Sequence, residues 1–331
     1  MSYKSILELN EKSISKKSIL IIGAGYMASQ YASALHDIGL TNVMILSQKQ
    51  KSSLKLAKKY KFKNNFGEIE KILSEMPKMD LVIITTPILK LFSVTKLALK
   101  YGQTNILIEK PASLDSKKLL NLAKKNPDVN IKVGFNRLQY PTFHLIKELC
   151  KNDGGITSCT FTITEWIKKI DFKKFEKPVL ERWGIANSLH VISMVFELIG
   201  FPKKFSCIQT GELKWHHSGS IFVGSGISEN NIPFSYHGDW NSSGRWGITI
   251  MTKKHAFQLM PLEELYMCKI NSTNWEKIEI PKSSNSKYGL IEQILLMLEN
   301  KKMCHKYMMS LEKTSSYIKI AEKIFGYKNT K

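Results

Sequence analysis

Three short groups of residues have the types and spacing to do chemistry. Gly23-Ala24-Gly25-Tyr26-Met27-Ala28 follows the apolar run Ile19 to Ile22 and opens a segment of helical period. In that setting a G-x-G-x-x-A turn binds a dinucleotide: Gly23 permits the tight turn, Gly25 lets the backbone approach a pyrophosphate, and Ala28 allows close helix-to-strand packing. About 20 residues past such a turn, an acidic side chain ordinarily holds the adenosine ribose. Here the position is taken by Ser47-Gln48-Lys49-Gln50-Lys51. A hydroxyl followed by lysines suits a 2′-phosphate, which favours NADP(H) and keeps NAD(H) as the alternative. Further along, Thr85-Thr86-Pro87 and Glu109-Lys110-Pro111 each close an apolar run, where ligands of doubly wound folds bind. Lys110 is a candidate proton donor and acceptor if burial and a nearby cation disfavour its charged form.

Such residues need a scaffold. Short apolar runs at Ile19 to Ile22, Val43 to Leu46, Leu81 to Thr85, Ile106 to Ile108 and Ile131 to Phe135, with a weak one near Phe62, alternate with helical segments. That alternation predicts βαβ units and a parallel sheet. The helices include one beginning after Gly25 and stopping at Gly39, and one over Ser113 to Lys125. After Tyr140 strands follow one another more closely: Thr157 to Thr164, Ser220 to Gly226, Pro233 to Trp240, Arg245 to Met251 and Ala256 to Met260. Helices are predicted at Ala186 to Ile199, Leu290 to Glu299 and Ser310 to Ile324. The fold expected is α/β: an N-terminal Rossmann domain with a doubly wound parallel sheet over 18–135, and an α+β domain with a large, mainly antiparallel open sheet over 136–331. Residues 1–17 read as an N-terminal extension.

The chain has 331 residues and a formal net charge of +21, which raises the question of nucleic acid or an anionic membrane. Its make-up points elsewhere. Of 49 basic residues only Arg137, Arg182 and Arg245 are arginine, and the lysines are spread through nearly every segment. Nucleic-acid readers rely on clustering and on the guanidinium fork. In so lysine-rich a chain, each arginine stands out as a place where that fork is needed. No apolar run reaches the roughly 18 residues of a membrane span, and Met1 to Lys17 lacks a signal-peptide centre. A cytoplasmic protein is expected, binding neither nucleic acid nor membrane. The five cysteines form no C-x-x-C pair, and the histidines no H-E-x-x-H, so no metal site is expected.

Taken together, the glycine turn, Thr86-Pro87, Glu109-Lys110-Pro111, Gly134-Phe135-Asn136-Arg137 and a helix carrying His190 resemble, in order and spacing, the Gfo/Idh/MocA dehydrogenases. The likeness spans almost the whole chain and is nearest to members associated with surface-polysaccharide synthesis. It implies an NAD(P)-dependent oxidoreductase acting on a secondary hydroxyl or ketone of a sugar or nucleotide sugar. It implies further that Lys110 and His190 flank the reacting carbon, with Lys110 as general acid and base. Cofactor contacts are expected at Gly23, Gly25, Tyr26, Met27, Ala28, Ser47, Gln48, Lys49, Thr85, Thr86, Pro87, Glu109, Lys110 and Asn136. Two carboxylates frequent in the family are replaced, by Ala186 and Ser193. Those departures leave open a non-catalytic regulator that binds dinucleotide and sugar, and one family branch cleaves glycosides with the cofactor's help.

For the substrate, polar and aromatic residues concentrate at Thr164-Glu165-Trp166, Arg182-Trp183, Trp215-His216-His217, Ser235 to Trp240 and Gly244-Arg245-Trp246. Aromatic faces beside planar polar groups suit a sugar. The substrate contacts expected are Lys110, Arg137, Trp166, Trp183, Asn187, His190 and Arg245. Arg245 could meet a ligand carboxylate or phosphate, or pair with Asp239. An open sheet with one uncovered face leads to the expectation of a homodimer or homotetramer.

Overall fold

The structure is a computed structural model and describes residues 14–280, 287–299 and 301–328. Ile19–Ile22 (β1) and Leu81–Ile84 (β4) are unbroken apolar runs, buried at every position. Such runs suit strands covered on both faces. With Val43–Ser47 (β2), Lys63–Phe66 (β3), Asn105–Glu109 (β5) and Asn130–Gly134 (β6) they form a six-stranded parallel sheet in the order β3-β2-β1-β4-β5-β6. The weak strand expected near Phe62 lies at Lys63–Phe66, a polar edge strand. The crossovers carry helices Tyr26–Asp37 (α1), Gln50–Tyr60 (α2), Ile69–Glu75 (α3), Ile88–Lys100 (α4) and Ser116–Lys125 (α5). The last starts later than Ser113 because the Asp115 carboxylate caps it, accepting from Lys117 N at 2.9 Å and Lys118 N at 3.4 Å.

The described residues fall into two compact units, drawn from Met1–Gln139 with Lys282–Ser315 and from Tyr140–Pro281 with Ser316–Lys331. A single division between 135 and 136 therefore differs from the structure. Apolar burial is the reason: Leu290, Ile294, Leu295, Leu296 and Met297 share one core with Ala28, Tyr31, Ala32 and Leu35 of α1. Residues 1–13 of the expected extension lie outside the described part. Its end is tied down, with Ile14 in the same core and Lys17 Nζ 3.1 Å from Asp80 Oδ1.

The second unit is α+β. Helix Pro141–Asn152 (α6) leads into Ile156–Ile163 (β7), followed by the short helix Lys177–Leu180 (α7) and by Leu189–Ile199 (α8). Strands Pro202–Thr210 (β8), Ile221–Ser228 (β9), Pro233–Asp239 (β10), Trp246–Thr252 (β11), His255–Leu259 (β12), Leu265–Lys269 (β13) and Glu276–Ile278 (β14) complete an eight-stranded sheet. Its order is β14-β13-β12-β11-β7-β10-β9-β8, antiparallel except at the β7–β10 pair. Burial alternates along β7 and β10, as in strands with one covered face. The covering side chains include Phe196 of α8, whose ring lies 6.1 Å from Phe161 and 5.3 Å from Phe234.

Expected helix Ala186 to Ile199 is two elements. Gly184–Ser188 forms a turn of π-helix, and regular α-helix begins only at Leu189. Widened turns of this kind let a helix re-aim its side chains, and they recur at functional sites. Here the turn is wedged by its first residue, since a Cβ on Gly184 would lie 2.2 Å from Cδ2 of Phe325 and 2.3 Å from Cε2. Phe325 is fully buried, so it has little room to move aside. Gly184→Ala is therefore expected to cost about 1–3 kcal/mol through overpacking, read as a lower urea midpoint. An unchanged midpoint would mean that Phe325 can yield.

Candidate functional site

In the first unit the glycine turn lies at the carboxyl end of β1, where the strand order reverses between β1 and β4, the place at which doubly wound sheets bind ligands. Its two outer glycines have different surroundings. Gly23 has φ of 124°, and a Cβ there would come 2.5 Å from Thr85 Oγ1 and 2.8 Å from Thr85 O. Gly25 has nothing within 4 Å of the Cβ position and caps α1 without a side-chain hydrogen bond. The first turn of α1 also lacks an acidic residue, so its amides and dipole face outward unneutralised. Ala28 is fully buried, whereas Tyr26 is 70% exposed. Met27 Sδ accepts from Lys287 Nζ at 3.8 Å.

Around this turn stand the other expected cofactor residues. Thr85 is buried and donates to Ile22 O at 3.2 Å, while Thr86 Oγ1 is buried with no hydrogen-bond partner. Pro87 caps α4. At the end of β2 the Ser47 hydroxyl donates to Lys49 O at 2.8 Å, and Gln48 and Lys49 are exposed. An open Gly25, bare helix amides and an orphaned threonine hydroxyl are what a pyrophosphate and its ribose would fill, so these residues fit a dinucleotide.

Glu109 points inward. Gly134 makes room for it, because a Cβ there would sit 2.9 Å from the Tyr31 hydroxyl and 3.4 Å from Glu109 Oε1. Turned so that its oxygen accepts from Asn136 N (3.0 Å) and Phe135 N (3.3 Å), the Gln293 amide donates to the Tyr31 hydroxyl at 3.0 Å. The tyrosine proton is then free for Glu109. Burial pushes the Glu109 carboxyl up, and Lys110, Lys287 and Tyr31 oppose that shift. Asn136 is buried and donates to Tyr288 O at 3.0 Å; half-buried Arg137 follows it in a 3-10 turn. Lys110 stands half-buried at the end of β5, before a cis Lys110-Pro111 bond.

In the second unit one carboxylate gathers the site. Glu165 follows β7 and is 2% exposed. Its Oε2 accepts from Arg245 Nη1 at 2.9 Å and Asn187 Nδ2 at 2.8 Å, its Oε1 from Ser188 Oγ at 2.5 Å and Trp246 Nε1 at 3.2 Å. Burial raises the Glu165 carboxyl, and Arg245, Ser188 and Asn187 hold it down. Four donors converging on one group are best met by the ionised form, which offers acceptors at both oxygens and no competing proton. Arg245 thus pairs with Glu165 and not with Asp239, whose carboxylate accepts from Asn241 N at 2.9 Å. His190 is buried, its ring 6.2 Å from that of Trp246.

Beside this group opens a cleft of about 310 Å³ whose lining includes Glu165, Trp166, Lys169, Trp183, Asn187 and Arg245. Trp166 is anchored by donation from Nε1 to Gly244 O at 2.7 Å. Trp183 packs edge-on against Phe175 at 5.0 Å and Trp215 at 6.4 Å, and its buried Nε1 has no hydrogen-bond partner.

Residues 17–135 match the model of the Gfo/Idh/MocA family, described as an oxidoreductase family with an NAD-binding Rossmann fold. Over those residues the first unit is similar to the Gfo/Idh/MocA oxidoreductases. No curated protein sequence matches the chain. Among solved structures, UDP-N-acetylglucosamine 3-dehydrogenase GnnA from Acidithiobacillus ferrooxidans is 15% identical with a TM-score of 0.70, covering 94% of this chain and 97% of that one. A levoglucosan dehydrogenase bound to NADH and L-sorbose is 16% identical with a TM-score of 0.74 over 94% and 96% of the two chains. A putative NADPH-dependent oxidoreductase from Desulfitobacterium hafniense is 15% identical with a TM-score of 0.76 over 94% and 95%. At such identities the likeness is one of fold.

The second unit brings Trp166, Trp183, Asn187, His190 and Arg245 into one neighbourhood, while Lys110 and Arg137 belong to the first unit. Sequence reasoning missed Glu165 as the hub, as well as Lys169, Asp171, Lys174 and Phe175 of the loop after β7. Its signal was a lone acid between a strand end and an exposed tryptophan. Glu165→Gln keeps the shape but offers one acceptor oxygen to four donors, and it leaves Arg245 unpaired. A loss of about 3–5 kcal/mol is expected in urea melts, and a loss under 1 kcal/mol would remove Glu165 from the centre of this group.

Behind the π-helical turn, Tyr327 Oη accepts from Gly184 N at 2.8 Å and lies 2.7 Å from His216 Nε2, whose Nδ1 faces Gly219 O at 2.8 Å. Burial lowers the His216 pKa to about 4, and burial together with Lys147 lowers that of His144 to about 4, both from 6.5. Between those values the unfolded chain binds more protons than the folded one. The stabilisation is complete above pH 6.5 and lost as pH falls toward 4, on the order of 3 kcal/mol for each histidine. Urea midpoints should fall across that window in wild type and fall less in His216→Gln; parallel profiles would remove His216 as a cause.

Proposed function

We propose that the chain is an NAD(P)-dependent oxidoreductase of a sugar or nucleotide-sugar hydroxyl, with NADP(H) as preferred cofactor. The open, uncapped amide turn at Gly25 carries this reading, since it offers phosphate what a packed turn would not. Gly23, Gly25 and the start of α1 would hold the pyrophosphate, Ser47, Gln48 and Lys49 the adenosine ribose and its 2′-phosphate, and Thr86 a polar group of the dinucleotide. The absence of a carboxylate over Ser47 to Lys51 supports the phosphorylated form, because an acid there would repel it. When bound, the nicotinamide accepts or gives the hydride. Lys110 takes the hydroxyl proton on oxidation and returns it on reduction, with His190 assisting by holding a hydroxyl. Trp166 and Trp183 offer faces to a pyranose ring, and Asn187 a planar amide. The solved sugar dehydrogenases of like fold agree with this choice of substrate.

Two variants separate the parts of the proposal. Gly25→Ala keeps an ordinary φ of −88° and meets nothing within 4 Å, so stability should be unchanged. Dinucleotide affinity should fall about tenfold or more, read by thermal shift with NADP and NAD. Lys110→Met should retain that affinity and lose about a hundredfold or more in kcat on the sugar that wild type turns over. Intact turnover in Lys110→Met would refute the acid-base assignment, and a larger thermal shift with NAD than with NADP would refute the cofactor preference.

A further inference from the structure

Arg245 is held as few surface arginines are. Its Nη1 is tied to the buried Glu165, and its guanidinium lies 3.9 Å from the ring centroid of Trp246 and 4.8 Å from that of Trp166. Two indole faces and one carboxylate fix the plane of the fork, while the side chain stays 27% exposed on the cleft. Among the described residues Glu165 is its one acceptor, so most of its donors have no protein partner. The cleft lining carries three cations, Lys169, Lys174 and Arg245, against two anions, Glu165 and Asp171. Arg245 neutralises Glu165 and Lys174 neutralises Asp171 at 3.0 Å. Lys169 is left over, its Nζ 4.1 Å above the Trp166 ring. A buried ion pair adds little stability over apolar packing of the same volume, so stability alone gives no reason to place one here.

We infer that this cleft recognises a substrate carrying one anionic group, a carboxylate or phosphate, which docks on the free edge of Arg245 beside Lys169 while the sugar ring lies against the tryptophans. A preorganised fork loses little entropy on binding an oxyanion, and two of its donors match the spacing of two ligand oxygens. A neutral sugar would leave that edge and Lys169 unanswered.

The inference rests on the cleft being the substrate site, and its test reads binding without turnover. Quenching of tryptophan fluorescence is titrated with glucuronate, glucose 1-phosphate and glucose. Glucuronate or glucose 1-phosphate should bind at least about tenfold more tightly than glucose, and the better of the two identifies carboxylate or phosphate as the group read. Arg245→Lys keeps a cation for Glu165 but loses the fork, and Lys169→Met changes an exposed side chain. Each should reduce the preference severalfold, and added salt should weaken it further. Equal binding of glucose, no binding of either anion, or a preference unchanged in both variants would overturn the inference. Anion preference without hydride transfer to any sugar would instead sink the oxidoreductase reading and leave this one standing.

Discussion

A carboxylate taken out of water must be met by donors on every side, and at Glu165 that requirement organises the second unit. The donors come from three separate places: the π-helical turn through Asn187 and Ser188, the start of β11 through Trp246, and the loop before it through Arg245. None is near Glu165 in sequence. Each is fixed by the same charge, so the cleft residues acquire a common reference point. The π-helical turn belongs to the same arrangement, since it sets Asn187 and Ser188 at the carboxylate just before α8 becomes regular at Leu189.

The parallel sheet was readable from sequence because its strands are buried on both faces and announce themselves as apolar runs, and because the glycine turn marks the switch point. The outer strands of the second sheet were less legible. Pro202–Thr210 carries Lys203 and Lys204 and alternates weakly, and Glu276–Ile278 has only three residues, one of them apolar. The allocation of Leu290–Glu299 to the first unit was also hidden. A helix with a buried face reveals that it packs, but not on what; the pairing of Gln293 with Tyr31 across 262 residues has no local signature. Glu165 was hidden for a related reason, since its meaning lies in four partners that only the tertiary fold assembles.

Lysine abundance shaped what charge could reveal. Most lysines are exposed, in keeping with a solvated surface, but Lys132 in β6 is 4% exposed, with Nζ 3.1 Å from His305 Nδ1. Burial lowers its pKa. The arginines were more informative. Arg182 pairs with Glu322 and lies 5.3 Å from the Tyr327 ring, and Arg245 pairs with Glu165 between two indoles. Both use the flat, always-charged fork that lysine lacks.

The two glycines of the dinucleotide turn show how one motif joins folding to function. Gly23 is required by the protein itself: its φ is positive, and Thr85 from the neighbouring strand occupies the space a side chain would need. Gly25 answers to no such demand, with an ordinary φ and open space around its Cβ position. A residue whose smallness the fold does not need is one whose smallness serves something outside the fold. In the function proposed above that is a phosphate approaching the bare amides of α1, and the difference between the two positions would then separate a structural turn from a binding one.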